Sequence, residues 1–154
     1  MSSNSVNRET LRDALAVLLN TALVTTLLSV HTVYNHLVSD FKGRSPVVVV
    51  TSAGGERSKI AQVLVGHSKV LLDVHTFVLY ALADGTWTEQ QAEDRLDLIE
   101  KQINDTLVDN YVYTGYWQSI DYERPSVVDP VPVKVGGDVY RHETIYLIVH
   151  TQDT

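Results

Sequence analysis

Residues 70–108 read VLLDVHTFVLYALADGTWTEQQAEDRLDLIEKQINDTLV, and this stretch decides the fold class. Its first part, Val70 to Leu82, has the alternation of a long strand. A turn at Asp84-Gly85 follows. The pair Thr88 and Gln91 then has the spacing of a capping box, which marks the start of a helix. The stretch therefore predicts a strand, a turn and a helix from about Glu89 to Val108.

The spacing of apolar residues indicates which sides of these two elements are buried. In a strand, alternate side chains point to opposite faces, and one face of this strand is more apolar than the other. That core face holds Val70, Leu72, Val74, Thr76, Val78 and Tyr80. In the helix, apolar residues recur every three or four positions, which places them on one side. They are Ala92, Leu96, Ile99, Ile103 and Leu107.

Upstream, the sequence predicts a helix and another strand. Asn7 suits the N-cap of a helix, and Leu11, Leu15, Leu18 and Ala22 are spaced 4, 3 and 4 apart on one of its faces. Apolar residues at Val17, Leu19 and Leu23 widen that surface, so we expect the helix to be covered on more than one side.

The motif SPVVVV at Ser45–Val50 predicts a strand from Val47 to Thr51, because Pro46 can begin a strand but not lie at its centre. Its four consecutive valines indicate burial on both faces. The interval Thr25–Arg44 has no clear periodicity, and its end, Phe41–Arg44, is typical of a loop.

Downstream of the second helix, the aromatic segment Tyr111–Glu123 predicts a strand interrupted or bulged at Gly115. Three prolines then indicate a loop or an edge strand up to Val135. A tight turn at Gly136-Gly137-Asp138 leads to a final strand, Val139–His150. The prolines are Pro125, Pro130 and Pro132.

The predicted fold class is therefore α/β (α+β), with a mostly antiparallel sheet of about four or more strands packed against two main helices. The predicted element order is α-β-β-α-β-β. A chain of 154 residues suits a single domain, 1–154, and the interval of about 53–68 between the first two strands is predicted to project as a loop.

Composition excludes several classes of function. The formal net charge of -7 argues against general attraction to nucleic acid or anionic membranes. The absence of cysteine excludes disulfides, thiolate metal sites and cysteine nucleophiles. The apolar stretch Leu15–Val30 is interrupted by Asn20 and by several hydroxyl residues, so we expect no membrane-spanning helix.

Motifs for catalysis or cofactor binding fail on their spacing. Gly54 and Gly55 are adjacent and Lys59 follows Ser58, whereas a Walker A loop needs a lysine directly after its second glycine. The patterns GxGxxG and GxSxG are absent. His31 and His36 are five residues apart, which does not place two imidazoles on one helix face. We therefore predict no cofactor, no metal site and no catalytic residues.

At the level of whole elements, the chain resembles the tail terminator (tail completion) proteins of long-tailed, siphovirus-type bacteriophages. The resemblance covers most of the chain and rests on patterns of strand and helix. It is carried by the helix RETLRDAL, the strand SPVVVV, the long loop after it, the strand VLLDVHTFVLY, the acidic helix AEDRLDLIEKQIND and the closing segment GGDVYRHETIYLIVH.

The resemblance implies a structural virion protein, not an enzyme. It implies a homo-oligomer, a hexameric ring at the tail–neck junction, which ends polymerisation of the tail tube. The partners so implied are the major tail tube protein and the head-side connector or stopper protein, with DNA passing through without specific binding. Before assembly the protein would lie in the host cytoplasm.

In this family the loop between the first two strands reaches toward the tail tube. The resemblance therefore makes residues of the 53–68 interval candidates for a tail-tube or subunit interface. They are Gly54, Gly55, Glu56, Arg57 and Lys59.

Two alternatives stay open on the sequence. The chain could be another phage neck protein, a head-completion or stopper adaptor, because such proteins are also small and ring-forming. It could also be a small cytoplasmic nucleotide-binding enzyme that uses the Gly54-Gly55 loop. Stabilisation by nucleotide would favour the enzyme.

Overall fold

A computed structural model describes residues 7–26, 30–56 and 66–153 as a mixed α/β fold with one six-stranded sheet and two main helices. This confirms the predicted class at that level. Within these ranges, no helix is both long enough and apolar enough to cross a membrane. The elements in chain order are α1 (Arg8–Asn20), a π-helical turn (Thr21–Thr26), β1 (Thr32–Tyr34), β2 (Val47–Glu56), β3 (Gly66–Leu79), α2 (Glu89–Asp109), β4 (Ser119–Val128), β5 (Val133–Val135) and β6 (Asp138–Asp153).

The strands lie in the order β1-β2-β3-β6-β4, and β5 also pairs with β6. The pair of β1 and β2 is parallel, and the other pairs are antiparallel. The predicted order α-β-β-α-β-β is wrong in detail because it lacks β1 and β5. Both have only three residues, so each depends on its neighbour in the sheet and leaves little periodic pattern in the sequence.

Both helices pack on one face of the sheet, and the main core lies between them and the strands. Asn7 caps α1 by accepting a hydrogen bond from the Glu9 N–H, as predicted. Thr88 and Gln91 form the predicted capping box of α2. Tyr80, predicted on the core face of the strand, lies beyond the end of β3 and is only half-buried. The rest of the predicted apolar faces of α2 and β3 is confirmed, with five α2 side chains and five β3 side chains buried. They are Ala92, Leu96, Ile99, Ile103, Leu107, Val70, Leu72, Val74, Thr76 and Val78.

The opposite face of the sheet carries a smaller aromatic cluster. Phe41, from the loop between β1 and β2, lies over this face with its ring centroid 4.9 Å from Phe77 and 5.4 Å from Tyr140. Val47 and Val49 belong to this cluster, whereas the alternating Val48 and Val50 belong to the main core. The four valines are therefore buried on both faces of the sheet, as their run predicts.

The long strands begin and end at other residues than predicted. Strand β2 continues to Glu56 through its pairing with β3, and β3 begins at Gly66 because its first residues pair with β6. At its other end β3 stops at Leu79 instead of Leu82. There Trp87 donates from Nε1 to the Leu79 carbonyl, and the Leu82 N–H donates to the Trp87 carbonyl, so these contacts hold the chain in a turn before α2.

The predicted strand Tyr111–Glu123 is interrupted at Gly115, as expected, but its first half forms no strand and β4 begins only at Ser119. Residues 113–117 form a tight turn in which the N–H groups of Tyr116 and Trp117 both donate to the Tyr113 carbonyl. Gly115 has a φ of 92°, a conformation that glycine adopts easily and a strand residue does not. Trp117 is buried and donates from Nε1 to the Asn110 carbonyl, so the turn is anchored to the end of α2.

Strand β4, which contains Pro125, is the outer strand on one side of the sheet, in agreement with the edge-strand alternative. Gly136 and Gly137 form the predicted tight turn between β5 and β6. The final strand is longer than predicted at both ends and pairs with β3 from Tyr140 to Asp153.

Candidate functional site

The three described residues of the predicted interface are Gly54, Gly55 and Glu56, and they form the outer end of β2. Gly54 has a φ of 128° and lies at a shift in register between β2 and β3. At Gly55 a Cβ atom would lie 2.8 Å from the carbonyl oxygen of Lys69. The positive φ at Gly54 and the close approach of the two strands at Gly55 therefore account for these glycines without a bound phosphate.

Glu56 lies opposite Lys69 in the pairing of β2 with β3, and both residues are exposed. The other two predicted interface residues, Arg57 and Lys59, lie outside the described residues. The structure thus places the described part of this site on a paired strand end. Residues 57–65, between the end of β2 and the start of β3, lie outside the described residues.

A chain of hydrogen-bonded polar side chains crosses the sheet on the face opposite the helices. Nδ1 of His142 lies 2.6 Å from Oδ2 of Asp129, and Nε2 of His142 lies 3.0 Å from Nδ1 of His75. Nε2 of His75 lies 3.3 Å from Oγ1 of Thr51. If Nδ1 carries the proton on both rings, each of the three contacts is a hydrogen bond with one donor and one acceptor.

Burial, followed by the proximity of His142, lowers the pKa of His75 to about 4. His75 is therefore neutral at pH 7. Phe77 stacks on His142 with a centroid distance of 4.4 Å and an interplanar angle of 11°. The ring of His142 is thus held by Phe77 as well as by Asp129, and the arrangement is rigid.

The order Asp129, His142, His75 and Thr51 resembles the acid–base–nucleophile order of hydrolases with one extra imidazole. Activation of a hydroxyl normally needs a contact with the base of about 2.6–3.2 Å. The distance from Thr51 to His75 is longer than this, and Thr51 lies within the paired part of β2. We therefore interpret the chain as a link between strands, which the sequence does not predict because His75 and His142 are 67 residues apart.

Metal binding has no support from side-chain clustering in residues 7–26, 30–56 and 66–153. In these ranges no three histidine, aspartate or glutamate side chains are grouped so that they could hold a metal ion. The two histidines considered in the sequence make local contacts, since Nδ1 of His31 lies 2.7 Å from Oγ1 of Thr32 and Nδ1 of His36 lies 2.8 Å from Oδ1 of Asn35.

A cleft of about 310 Å³ lies between the C-terminal end of α2 and the first residues of β4. Its inner lining is apolar and buried, whereas apolar side chains at its rim are exposed to solvent. The inner residues are Leu107, Ile120 and Leu147, and the rim includes Val108, Tyr111 and Tyr122. Because the rim is both apolar and exposed, this cleft is the best candidate for a contact with another protein.

A hydrogen bond closes one side of the cleft, where the Tyr122 hydroxyl donates to Oδ1 of Asn104. Burial, together with the negative charges of Glu100, Asp121 and Asp105, raises the pKa of Tyr122. The tyrosine therefore stays neutral and a donor at physiological pH. The same three carboxylates give the cleft a negative environment.

A second exposed apolar side chain lies on α1. Val17 is 64% exposed and borders two shallow grooves, one toward Tyr113 and Tyr116 and the other toward Val33 and Tyr34. The wide apolar surface predicted for this helix is thus divided, because Leu19 and Leu23 are fully buried while Val17 faces solvent.

No family model matches the sequence, and no curated protein is significantly similar to it.

Proposed function

We propose that the protein is a structural subunit of a bacteriophage tail, which forms a ring at the head-proximal end of the tail tube and ends tube polymerisation. In this role it also presents a docking surface to the head-side connector. The resemblance of its helices, its Pro-initiated strand and its closing strand to tail terminator proteins supports this proposal. The mixed α/β fold is compatible with it.

The observation that carries the proposal is the exposed apolar surface around the cleft between α2 and β4. Val108 is 60% exposed, Tyr111 61% and Tyr122 42%. Single exposed apolar residues are common in soluble proteins, but a group of aromatic and aliphatic side chains around an apolar cleft is typical of a protein interface. A ring subunit needs such surfaces on its sides.

The distribution of charge supports the passage of DNA without specific binding. The chain has a net charge of -7, and α2 alone contains seven acidic residues against two basic ones. A surface of this sign repels phosphate. A ring with a positively charged lumen would contradict this part of the proposal.

The proposal is tested by mixing the purified protein with tail tubes polymerised from the tube protein of the same phage, followed by electron microscopy. We expect a ring at one end of each tube and no further elongation when more tube protein is added. Rings found only on the head-side connector would instead identify a neck adaptor. The absence of any binding to tubes or connectors would refute a role at this junction.

A charge reversal at the loop tests the tube contact. We expect Arg57→Glu combined with Lys59→Glu to abolish capping while the circular dichroism spectrum and the melting temperature stay close to those of the wild type. The matched control is Lys134→Glu, an exposed basic residue in β5. Capping that survives the double reversal would remove these two residues from the interface.

A further inference from the structure

The cleft between α2 and β4 has a chemical character that defines its partner. Asp109 lies in the final turn of α2, which has no basic residue there, and Asp121 lines the cleft directly, whereas Asp105 one turn earlier is paired with Lys101 at 2.7 Å. The C-terminal end of a helix itself carries partial negative charge, so acidic residues there are electrostatically unfavourable. A group that fits this cleft is apolar at its tip and basic at its sides.

Addition of a strand to the sheet is hindered at the edge next to this cleft. The Ile120 N–H donates to the Tyr111 carbonyl, and the Tyr122 N–H donates to Oδ1 of Asp121. Pro125 has no N–H, and two shifts in register interrupt the strand near Arg124. A partner therefore binds here through side chains and not by extending the sheet.

The other edge of the sheet carries a surface of the opposite character. Leu37, in the loop between β1 and β2, is 77% exposed, more than any other large hydrophobic side chain in the described ranges. Its loop also presents Lys42 and Arg44, both exposed. Arg44 is held in place because it donates from a guanidinium nitrogen to the Tyr34 hydroxyl. The loop thus offers one exposed apolar side chain and two cations, together with one exposed carboxylate, Asp40, whose Oδ1 accepts from the Lys42 N–H.

We propose that Leu37 of one copy inserts into the cleft between α2 and β4 of a second copy, with Lys42 and Arg44 facing the acidic rim. The two surfaces belong to strands at opposite edges of the sheet, β1 and β4. Each copy can therefore contact one neighbour with its loop and another with its cleft. Such a head-to-tail contact closes into a ring when the rotation between neighbours permits. Only the closure into a ring rests on the proposed function, and the contact between two copies does not.

The absence of cysteine allows a direct test by disulfide cross-linking. Single variants Leu37→Cys and Val108→Cys are mixed and oxidised, and the linked pair is identified by mass spectrometry. In a control mixture, Val131→Cys replaces Leu37→Cys. We expect the yield of the Leu37–Val108 cross-link to be roughly tenfold or more above the yield of the Val131–Val108 cross-link, because residues in contact react at high effective concentration. Val131 is a matched control, since it is 65% exposed and lies outside the cleft.

A double variant, Leu37→Cys with Val108→Cys, distinguishes a contact between copies from one within a copy. We expect a ladder of linked chains on a denaturing gel. A cross-link confined to single chains would overturn the proposal. So would yields equal to the Val131 control, or pairs formed mainly between two Leu37→Cys chains.

Reversal of charge tests the ionic part of the contact. Lys42→Glu should reduce cross-linking, and Asp109→Lys in the partner chain should restore it, with Lys134→Glu as a control without effect. A loss that the second change does not restore would contradict the pairing.

A protein that forms rings on tail tubes but fails to cross-link would overturn this contact alone. A protein that cross-links but does not bind tubes would overturn the proposed function alone.

Discussion

Nδ1 of His142 lies 2.6 Å from Oδ2 of Asp129, and this contact fixes the ring whose opposite nitrogen faces His75. Asp129 follows β4, His142 lies in β6 and His75 in β3, so a few polar side chains connect separate parts of the chain. A second proton on His75 would go to Nε2, which faces Thr51, so the cost of charging this ring comes from its burial and from the proximity of His142.

The unfolding free energy should fall as the pH is lowered from about 6.5 toward 4. His75 has a pKa of about 4 in the folded protein and near its ordinary 6.5 in the unfolded chain. Between these values the unfolded chain binds more protons, so stability is present above pH 6.5 and lost below it. The loss from this group is on the order of 3 kcal/mol at most. Urea unfolding at a series of pH values measures it.

The variant His75→Gln should flatten this pH dependence, since glutamine does not titrate. The control is His31→Gln, because His31 is exposed and contacts only its neighbour Thr32 among the hydrogen bonds seen at its ring. An unchanged slope in His75→Gln would show that another group causes the acid sensitivity.

Glu143→Gln should stabilise the protein at pH 7 by about 1 kcal/mol. Glu143 is 5% exposed, and burial raises the pKa of its carboxyl group, with further contributions from Glu100, Asp97 and Glu93. An acid whose folded pKa is raised contributes stability that is lost as the pH rises above its ordinary 4.5. Glutamine removes the charge and still accepts the hydrogen bond that Ser126 donates.

The measurement for Glu143→Gln is chemical denaturation at pH 4 and at pH 7. The gain should be confined to the higher pH. Glu89→Gln, in the exposed first turn of α2, serves as a control and should cause a small loss instead, because its charge is favourable at a helix N-terminus. A destabilised Glu143→Gln variant at pH 7 would contradict the assignment.

Leu96→Ala should cost about 2–5 kcal/mol of unfolding free energy, because Leu96 is 1% exposed in the main core and its truncation leaves a cavity. Leu98→Ala, two residues away on α2 and 43% exposed, should cost less than about 1 kcal/mol. Both changes have the same chemistry and the same helix propensity. Similar losses in the two variants would contradict the orientation of α2.

Gly55→Ala should destabilise the protein by at least about 1 kcal/mol, since its Cβ would lie 2.8 Å from the backbone oxygen of Lys69 and the strands would have to separate. Gly137→Ala is the control, because no atom lies within 4 Å of the Cβ position there. Thermal unfolding compares the two. Equal melting temperatures would mean that β2 and β3 do not approach so closely.

Local chemistry in the sequence was sufficient to predict several elements. The capping box of Thr88 and Gln91 and the Asn7 cap involve residues within three positions of one another, so they form wherever the helix forms. The run Val47–Val50 has no polar side to turn toward water, which requires burial on both faces. These signals predicted both helices, the core faces and the mixed α/β class.

Tertiary structure decided the features that depend on strand neighbours. The alternation of side chains along a strand predicts which of them share a face, but it does not predict which strand lies beside them. The pairing of β3 with β6 brings His75 next to His142. The three-residue β1 forms because Val47–Val49 provides its partner. The interruption predicted at Gly115 is a full turn over residues 113–117, because Trp117 is anchored to the end of α2.

Some features of the candidate site were likewise predicted from the sequence, and others depend on the tertiary structure. The resemblance made Gly54, Gly55, Glu56, Arg57 and Lys59 candidates for an interface, and the structure places the first three of them on a paired strand end. The sequence did not predict the cleft between α2 and β4 or the exposure of Leu37. The cleft forms because β4 packs beside the end of α2, and Leu37 faces solvent while Phe41 of the same loop is buried. Sequence determined which residues are apolar, and only packing determined which of them stayed at the surface.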